Sequence, residues 1–242
     1  MGRPGAAHLK PGLDLDVYPD AAEVAEAAAR RIAAGAQLAV AARGRFVCAL
    51  SGGRTPWVML ERLSQLDLPW PAVQLLQVDE RVAPDGDANR NLTHLRTSLL
   101  ERVPVTPGQV HPMPVESPDL EDAAREYSST LEAVAGRPPV IDFVHLGLGA
   151  DGHTASLVPG DASLAVKDRS VAATGPYQGR RRLTLTYPAI DAAREVMFVV
   201  AGADKAPMLA RLLAGDPGIP AGRVRAASMR VLADRDAAGQ RG

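Results

Sequence analysis

Short apolar runs that alternate with segments of helical periodicity constrain this chain more than any other feature it carries. The β-like runs are Leu13–Tyr18, Phe46–Leu50, Val73–Val78, Val140–Leu146, Val171–Ala173, Leu183–Thr186, Val196–Ala201 and Met229–Leu232. Helical patterns occupy Ala21–Ala42, Pro56–Leu66, Leu92–Arg102, Leu120–Ala135 and Asp204–Leu213. Asp20 is a candidate N-cap for the first of these, with Glu23 three residues on as in a capping box. Several β runs are apolar at every position, as parallel strands covered on both faces are. The alternation predicts an α/β fold: a doubly wound, mostly parallel sheet with helices on both faces. In such sheets ligands sit beyond the carboxyl ends of the strands, so the strand-to-helix loops are the place to look for chemistry.

With 46% apolar and 23% charged residues, the 242-residue chain can bury a sizeable core. A single α/β catalytic domain is expected over residues 13–235. Residues 1–12, with Pro4, Gly5, Pro11 and Gly12, and residues 236–242 read as flexible ends. A net charge of −1 gives no long-range pull toward nucleic acid or an anionic membrane, so neither is an expected partner. Only three of the 27 basic residues are lysine (Lys10, Lys167, Lys205), so a lysine is the more informative cation here. The single cysteine, Cys48, lies in an apolar run and reads as a small buried residue rather than a disulfide or zinc ligand. No signal-peptide pattern and no apolar stretch near the roughly 20 residues that span a bilayer is visible, so a soluble cytoplasmic protein is expected.

Three loops stand out. The first is Ser51-Gly52-Gly53-Arg54-Thr55-Pro56, after the Phe46–Leu50 run and before a helix that Pro56 can start at its first position. Two glycines admit an anion close to backbone amides, the helix start adds positive potential, and Ser51, Thr55 and Arg54 supply hydroxyls and a cation. It lacks the Lys-Ser/Thr ending of a Walker loop, and a plain tight turn also accounts for its glycines. The second loop, Asp79-Glu80-Arg81, follows Val73–Val78. It reads either as solvated surface or as a carboxylate that orients a hydroxyl or water beside an arginine that grips an anion. Downstream, Asn91 and His94 open the next helix, with His94 read as a helix-surface residue.

The third loop is the densest: Gly147-Leu148-Gly149-Ala150-Asp151-Gly152-His153-Thr154-Ala155-Ser156-Leu157. Its glycines satisfy G-x-G-x-x-G, but that fingerprint needs a long helix after the third glycine and a second strand ending in an acid. Pro159-Gly160 breaks any helix within two turns, and Asp168 precedes the next β run instead of ending it, so no nucleotide cofactor is expected. Asp151 and His153, two residues apart at the expected mouth of a helix, form a candidate acid–base pair. A histidine with an ordinary pKa near 6.5 is partly neutral at physiological pH and can take a proton from water. Asp151 can fix its tautomer or bind a substrate hydroxyl, and exposed glycine amides such as that of Gly149 can hold an oxyanion. The five histidines, His8, His94, His111, His145 and His153, show no close ligand spacing, so no metal is expected.

Together these segments resemble the glucosamine-6-phosphate isomerase/6-phosphogluconolactonase family, and its lactonase branch in particular. The matching stretches are Leu50–Pro56, Asp79–Val82 and Gly147–Gly160, with weaker matches at Arg182–Thr186, at Gly202 with Lys205, and at Pro220-Ala221. The resemblance spans about residues 13–235. Glucosamine-6-phosphate deaminases share the fold and the Asp-Gly-His loop, but typically continue with Ile-Ala-Phe-Asn-Glu-Pro and carry tyrosine where Arg81 stands. Here Thr154-Ala155-Ser156-Leu157-Val158-Pro159 follows. One departure is Arg90 before Asn91, where the family often has serine.

The resemblance implies a small-molecule substrate, 6-phosphogluconolactone, hydrolysed in the oxidative pentose phosphate pathway. It implies His153 as general base, with Asp151 or Asp79 as its partner. The phosphate is then held by Ser51, Gly52, Gly53, Arg54 and Thr55 with Arg81, Arg182 and Lys205, and Gly149 lies at the same site. Arg180 and Arg181 adjoin Arg182, and which of the three faces the phosphate stays open. An amino-sugar-phosphate isomerase or deaminase and a non-catalytic sugar-phosphate sensor are the alternatives on the same fold. Oligomeric state is not legible.

Overall fold

Strands that are apolar on both faces satisfy their backbone by pairing with one another. They do so in the computed structural model, which describes residues 10–240. Among these residues a seven-stranded sheet runs in the order β1 (Leu13–Tyr18), β10 (Met229–Asp234), β9 (Val196–Val200), β6 (Phe143–Leu146), β2 (Phe46–Leu50), β3 (Val73–Gln77) and β5 (Val110–His111). Every neighbouring pair is parallel. The chain winds outward from β2 through β3 to β5, returns to β6 on the other side of β2, and winds the opposite way through β9 and β10. Winding therefore reverses between β2 and β6, and the crevice over their carboxyl ends is the topological switch point.

The helices α1 (Ala21–Arg43), α2 (Arg54–Leu63) and α3 (Asn91–Ser98) cover one face, and α4 (Leu120–Ala135), α5 (Tyr187–Asp191) and α6 (Ala206–Leu213) lie on the other. The pleat of β2 distributes its residues accordingly. Phe46, Cys48 and Leu50 join the first core, and Val47 and Ala49 join the second. Full burial of a large apolar side chain is worth about 1.5–3 kcal/mol, so a strand with no exposed residue is held firmly in register. Asp20 caps α1 as expected, accepting from the amides of Ala22 and Glu23. Gly44, at φ 72°, ends the helix with its N–H on the Val40 carbonyl.

A second, antiparallel sheet of three strands joins β4 (Asp79–Arg81), β8 (Arg182–Leu185) and β7 (Val171–Ala173). The runs at 171–173 and 183–186 thus leave the main sheet, and the Asp-Glu-Arg segment is a strand rather than a loop. Its sequence carries no apolar signal because the charges themselves are buried: Asp79 is 3% exposed and Glu80 is 0% exposed. Toward the carboxyl end, the Asp234 carboxylate accepts from the Gly202 and Ala237 amides and Ala237 is buried, while Asp236, Gly239 and Gln240 are exposed. At the other end the Lys10 amide donates to the Leu213 carbonyl. The expected flexibility of residues 1–9 and 241–242 lies outside the described residues.

Candidate active site

Three pieces of chain meet at the switch point. The first leads from β2 into α2. The helix starts at Arg54, so Pro56 is its third residue rather than its first, still within the turn whose amides have no intrahelical acceptor. No side chain caps it. Its first turn borders a recess formed by residues 52–56 with Gly147, Leu148 and Lys205, where helix-end amides and a lysine favour an anion. Gly52 can be nothing larger: a Cβ there would stand 2.0 Å from Asn91 Oδ1 and 2.6 Å from Trp57. Arg54 and Thr55 line this recess, not the main cleft.

The second piece follows β6. Gly149 N–H donates to the His153 carbonyl over 2.9 Å and Gly152 N–H to the Gly149 carbonyl over 3.0 Å, so the loop closes on itself. The Gly149 amide, expected to face an oxyanion, is thus committed inside the loop, as is that of Gly152. A Cβ on Gly149 would lie 2.0 Å from His153 Nδ1, which is why the loop needs glycine at that point. No helix begins here, contrary to expectation: Thr154 and Leu157 bridge each other around Ala155, whose φ is 51°. The dinucleotide fingerprint accordingly has no helix after its third glycine. His153 Nδ1 sits 2.5 Å from Asp151 Oδ1, which also accepts the His153 amide at 3.1 Å, while Tyr177 donates its hydroxyl to Asp151 Oδ2 at 3.0 Å. Burial alone raises the Asp151 carboxyl, but the bond from the His153 amide, its ring and Tyr177 together hold it below the usual carboxylate range. With Nδ1 held by Asp151, Nε2 is the ring nitrogen left for chemistry.

The third piece is the small sheet. Asp79 is not the partner of His153; its Oδ2 accepts the Ser156 hydroxyl at 2.6 Å and its Oδ1 the Asn91 amide at 3.2 Å. Arg182 Nη1 donates to Ser156 Oγ at 3.3 Å and lies 4.0 Å from Asp79 Oδ2. Burial lowers the Arg182 pKa, Asp79 opposes that, and Arg81 adds to it. Arg180 turns to the Val82 carbonyl and Asp87, and Arg181 to the Thr174 carbonyl, so Arg182 is the one of the three that lines the cleft. Glu80 points away from the cleft and accepts the Asn91 and Leu92 amides at 2.7 and 2.8 Å, capping α3, with buried Arg90 3.3 Å away. Arg90, the departure noted above, therefore has a structural place. Arg81 donates to the Asn89 carbonyl and borders the cleft. His94 stacks on Trp57 with ring centroids 4.9 Å apart, away from the cleft.

The result is a cleft of about 270 Å³. It gathers Ser51, Gly52, Gly53, Asp79, Arg81, Gly149, His153, Arg182 and Lys205, with Asp151 behind His153. Sequence reasoning missed Tyr177, Gln178 and Ser156 and gave Asn91 no role. Gln178 and Gly179 both have positive φ, 51° and 77°, forming a two-residue hairpin turn bridged by Tyr177 and Arg180. Nothing local shows that this hairpin reaches Asp151. Among the described residues no three His, Cys, Asp or Glu side chains gather as a metal site would. None of the described helices is long and apolar enough to cross a membrane.

A parallel sheet whose switch point presents an acid-held histidine among three cations defines an α/β enzyme built for an anionic ligand. The family model described as glucosamine-6-phosphate isomerases/6-phosphogluconolactonase matches residues 19–233, and the chain belongs to that family. It is 38% identical over 238 residues to the 6-phosphogluconolactonase of Mycobacterium tuberculosis, covering 93% of this chain and 96% of that one. With the 6-phosphogluconolactonase of Homo sapiens it shares 36% identity over 213 residues, 84% of this chain and 82% of the relative. The solved 6-phosphogluconolactonase of Trypanosoma cruzi superposes with a TM-score of 0.85 at 25% identity, covering 97% and 98% of the two chains. A monomeric glucosamine-6-phosphate deaminase shares the fold at TM-score 0.80 and 20% identity.

Proposed function

We propose that this protein hydrolyses 6-phospho-D-glucono-1,5-lactone to 6-phosphogluconate, the second step of the oxidative pentose phosphate pathway. One observation carries the reading: Asp151 holds Nδ1 of His153 at 2.5 Å in a cleft that also presents Arg81, Arg182 and Lys205. An imidazole fixed in its Nδ1–H form keeps a lone pair on Nε2 and can take a proton from water. The water oxygen attacks the lactone carbonyl, the C1–O5 bond breaks, and the ring oxygen leaves as a hydroxyl that takes the proton back from His153. The phosphate rests at the start of α2, with Lys205, Arg182 and Arg81 as its cations. The tetrahedral oxyanion faces the same positive lining. Asp79 acts through Ser156 and Arg182, holding the arginine in place. The proposed step uses water, a base and cations, and calls on no metal or nucleotide.

The test offers freshly generated 6-phosphogluconolactone, unphosphorylated gluconolactone and glucosamine 6-phosphate side by side, following acid and ammonia release. Acid should be released fastest from the phosphorylated lactone. Its kcat/KM should exceed that of the unphosphorylated lactone by about 30-fold or more, because losing one side of a charge-assisted pair costs roughly 2–5 kcal/mol. Equal kcat/KM for the two lactones overturns the phosphate assignment. Ammonia release would move the protein to the deaminase side of its family.

A further inference from the structure

Tyr177 has no part in the reaction just described, yet it touches each half of the site. It stands at the tip of the β7–β8 hairpin, beside the two-residue turn, and its hydroxyl reaches 26 residues back along the chain to Asp151 Oδ2 at 3.0 Å. The same oxygen lies 3.4 Å from His153 Nδ1. Its ring meets the imidazole edge-on, centroids 5.4 Å apart at 65°. The Arg182 guanidinium lies over that ring, 5.0 Å from its centroid. One phenol therefore contacts the base, the carboxylate behind the base, and a cation of the cleft.

The donor pattern has only one consistent solution. Asp151 Oδ1 already accepts the His153 amide and, at 2.5 Å, the Nδ1 side of the ring. Nδ1 must then carry a proton and cannot accept from Tyr177, so the phenolic proton goes to Oδ2. With both oxygens engaged from opposite sides, the carboxylate cannot rotate away from the imidazole. The bond from Tyr177 also draws negative charge off Asp151, which limits how strongly the carboxylate favours the protonated ring.

We propose that Tyr177 is a positioning residue for the base, locking Asp151 by its hydroxyl so that His153 keeps its Nδ1–H form and gives up its captured proton readily. The proposal rests on the base assignment above. The groups that bear on the imidazole are Asp151 and Tyr177 in contact, with Asp79, Arg81, Arg182 and Lys205 elsewhere on the cleft wall. Removing the hydroxyl leaves the cations in place and strips one donor from Asp151. The carboxylate then holds the imidazolium more tightly, and the acid limb of the pH profile moves to higher pH.

The test compares wild type with Tyr177→Phe, which keeps the ring over Arg182 and beside His153, and with Tyr177→Ala, which removes both contacts. For Tyr177→Phe we expect kcat on the phosphorylated lactone to fall about 10-fold with KM nearly unchanged, since the hydroxyl acts on the base through Asp151 and not on substrate binding. The acid limb of kcat/KM should move up in pH. The His153 ring resonances, followed by NMR titration of substrate-free protein, should move the same way. Tyr177→Ala should in addition raise KM through Arg182. A Tyr177→Phe profile and NMR titration that coincide with wild type, a downward shift, or a change in KM alone would each overturn the proposal. If the wild type releases no acid from the lactone, the reaction assignment fails. The substrate-free titration of Tyr177→Phe still decides whether the hydroxyl controls His153.

Discussion

In the proposed reaction His153 acts as base while Asp151 holds the proton on Nδ1, and position 149 carries no side chain that would occupy the same space. That dependence makes a prediction at the scale of one residue. In the proposed reaction, His153→Ala removes the proton acceptor and leaves the proposed substrate contacts at Ser51–Thr55, Arg81, Arg182 and Lys205 in place. We expect kcat to fall by about 10²-fold or more with a smaller change in KM, since general-base catalysis contributes about 10²–10⁴-fold. Steady-state rates corrected for spontaneous lactone hydrolysis, with circular dichroism to verify folding, check this. A folded variant with near wild-type kcat would remove His153 from the mechanism. Arg182 shows the opposite kind of dependence, because its reach into the cleft is set by Ser156 and Asp79 rather than by its own neighbours in sequence.

At the scale of an element, the short strand β4 does two jobs on alternate faces, as the pleat requires. Asp79 and Arg81 border the cleft, while Glu80 turns inward to the start of α3. Glu80 accepts from Gln77, Arg81, Asn91 and Leu92 and lies beside Arg90, and both charged side chains are almost fully buried. Glu80→Ala should therefore destabilise the protein by roughly 3–5 kcal/mol, because it removes a carboxylate beside buried Arg90 and leaves two helix-end amides without their acceptor. Urea denaturation measures this. The double variant Glu80→Ala/Arg90→Ala should lose less than the sum of the single losses, as expected for partners in one network. Additive losses would show that Arg90 does not depend on Glu80.

At the scale of the whole molecule, stability should depend on pH through a histidine that does no chemistry. His145 on β6 is fully buried, accepts the Ser51 amide at Nδ1 over 3.3 Å, and has no partner for Nε2 among the described residues. Burial pushes its pKa down to about 3, against about 6.5 in the unfolded chain. Between these values the unfolded state binds the proton and the folded state does not, so stability falls as pH falls through this window. The slope from this residue approaches about 1.4 kcal/mol per pH unit. Unfolding free energies measured from pH 7 to pH 4 should decline more steeply in wild type than in His145→Asn. Parallel curves would show that His145 does not set the acid sensitivity.

The sequence by itself determined the class of fold, since apolar runs of strand length covered on both faces have few ways to bury their surface other than a parallel sheet between helices. It also determined where the chemistry had to be sought. The glycine-rich loops at Gly52-Gly53 and Gly147–Gly152 are visible as motifs without knowing the rest of the chain, although the demand for glycine at position 52 comes from Asn91, which only the fold brings near. Asp20 and the Asp151–His153 pair were legible because each interaction is made within a few residues. Only the tertiary structure decided that Asp79 serves Ser156, 77 residues away, instead of His153, and that Tyr177 reaches Asp151. It also decided that Arg182, of three consecutive arginines, faces the cleft, and that Asp-Glu-Arg is a strand with buried charges. These outcomes depend on which loops the sheet order carries to the switch point. A charged residue buried against a distant partner reads locally just like one in solvent, because its burial is repaid by hydrogen bonds from chain that lies far off in sequence.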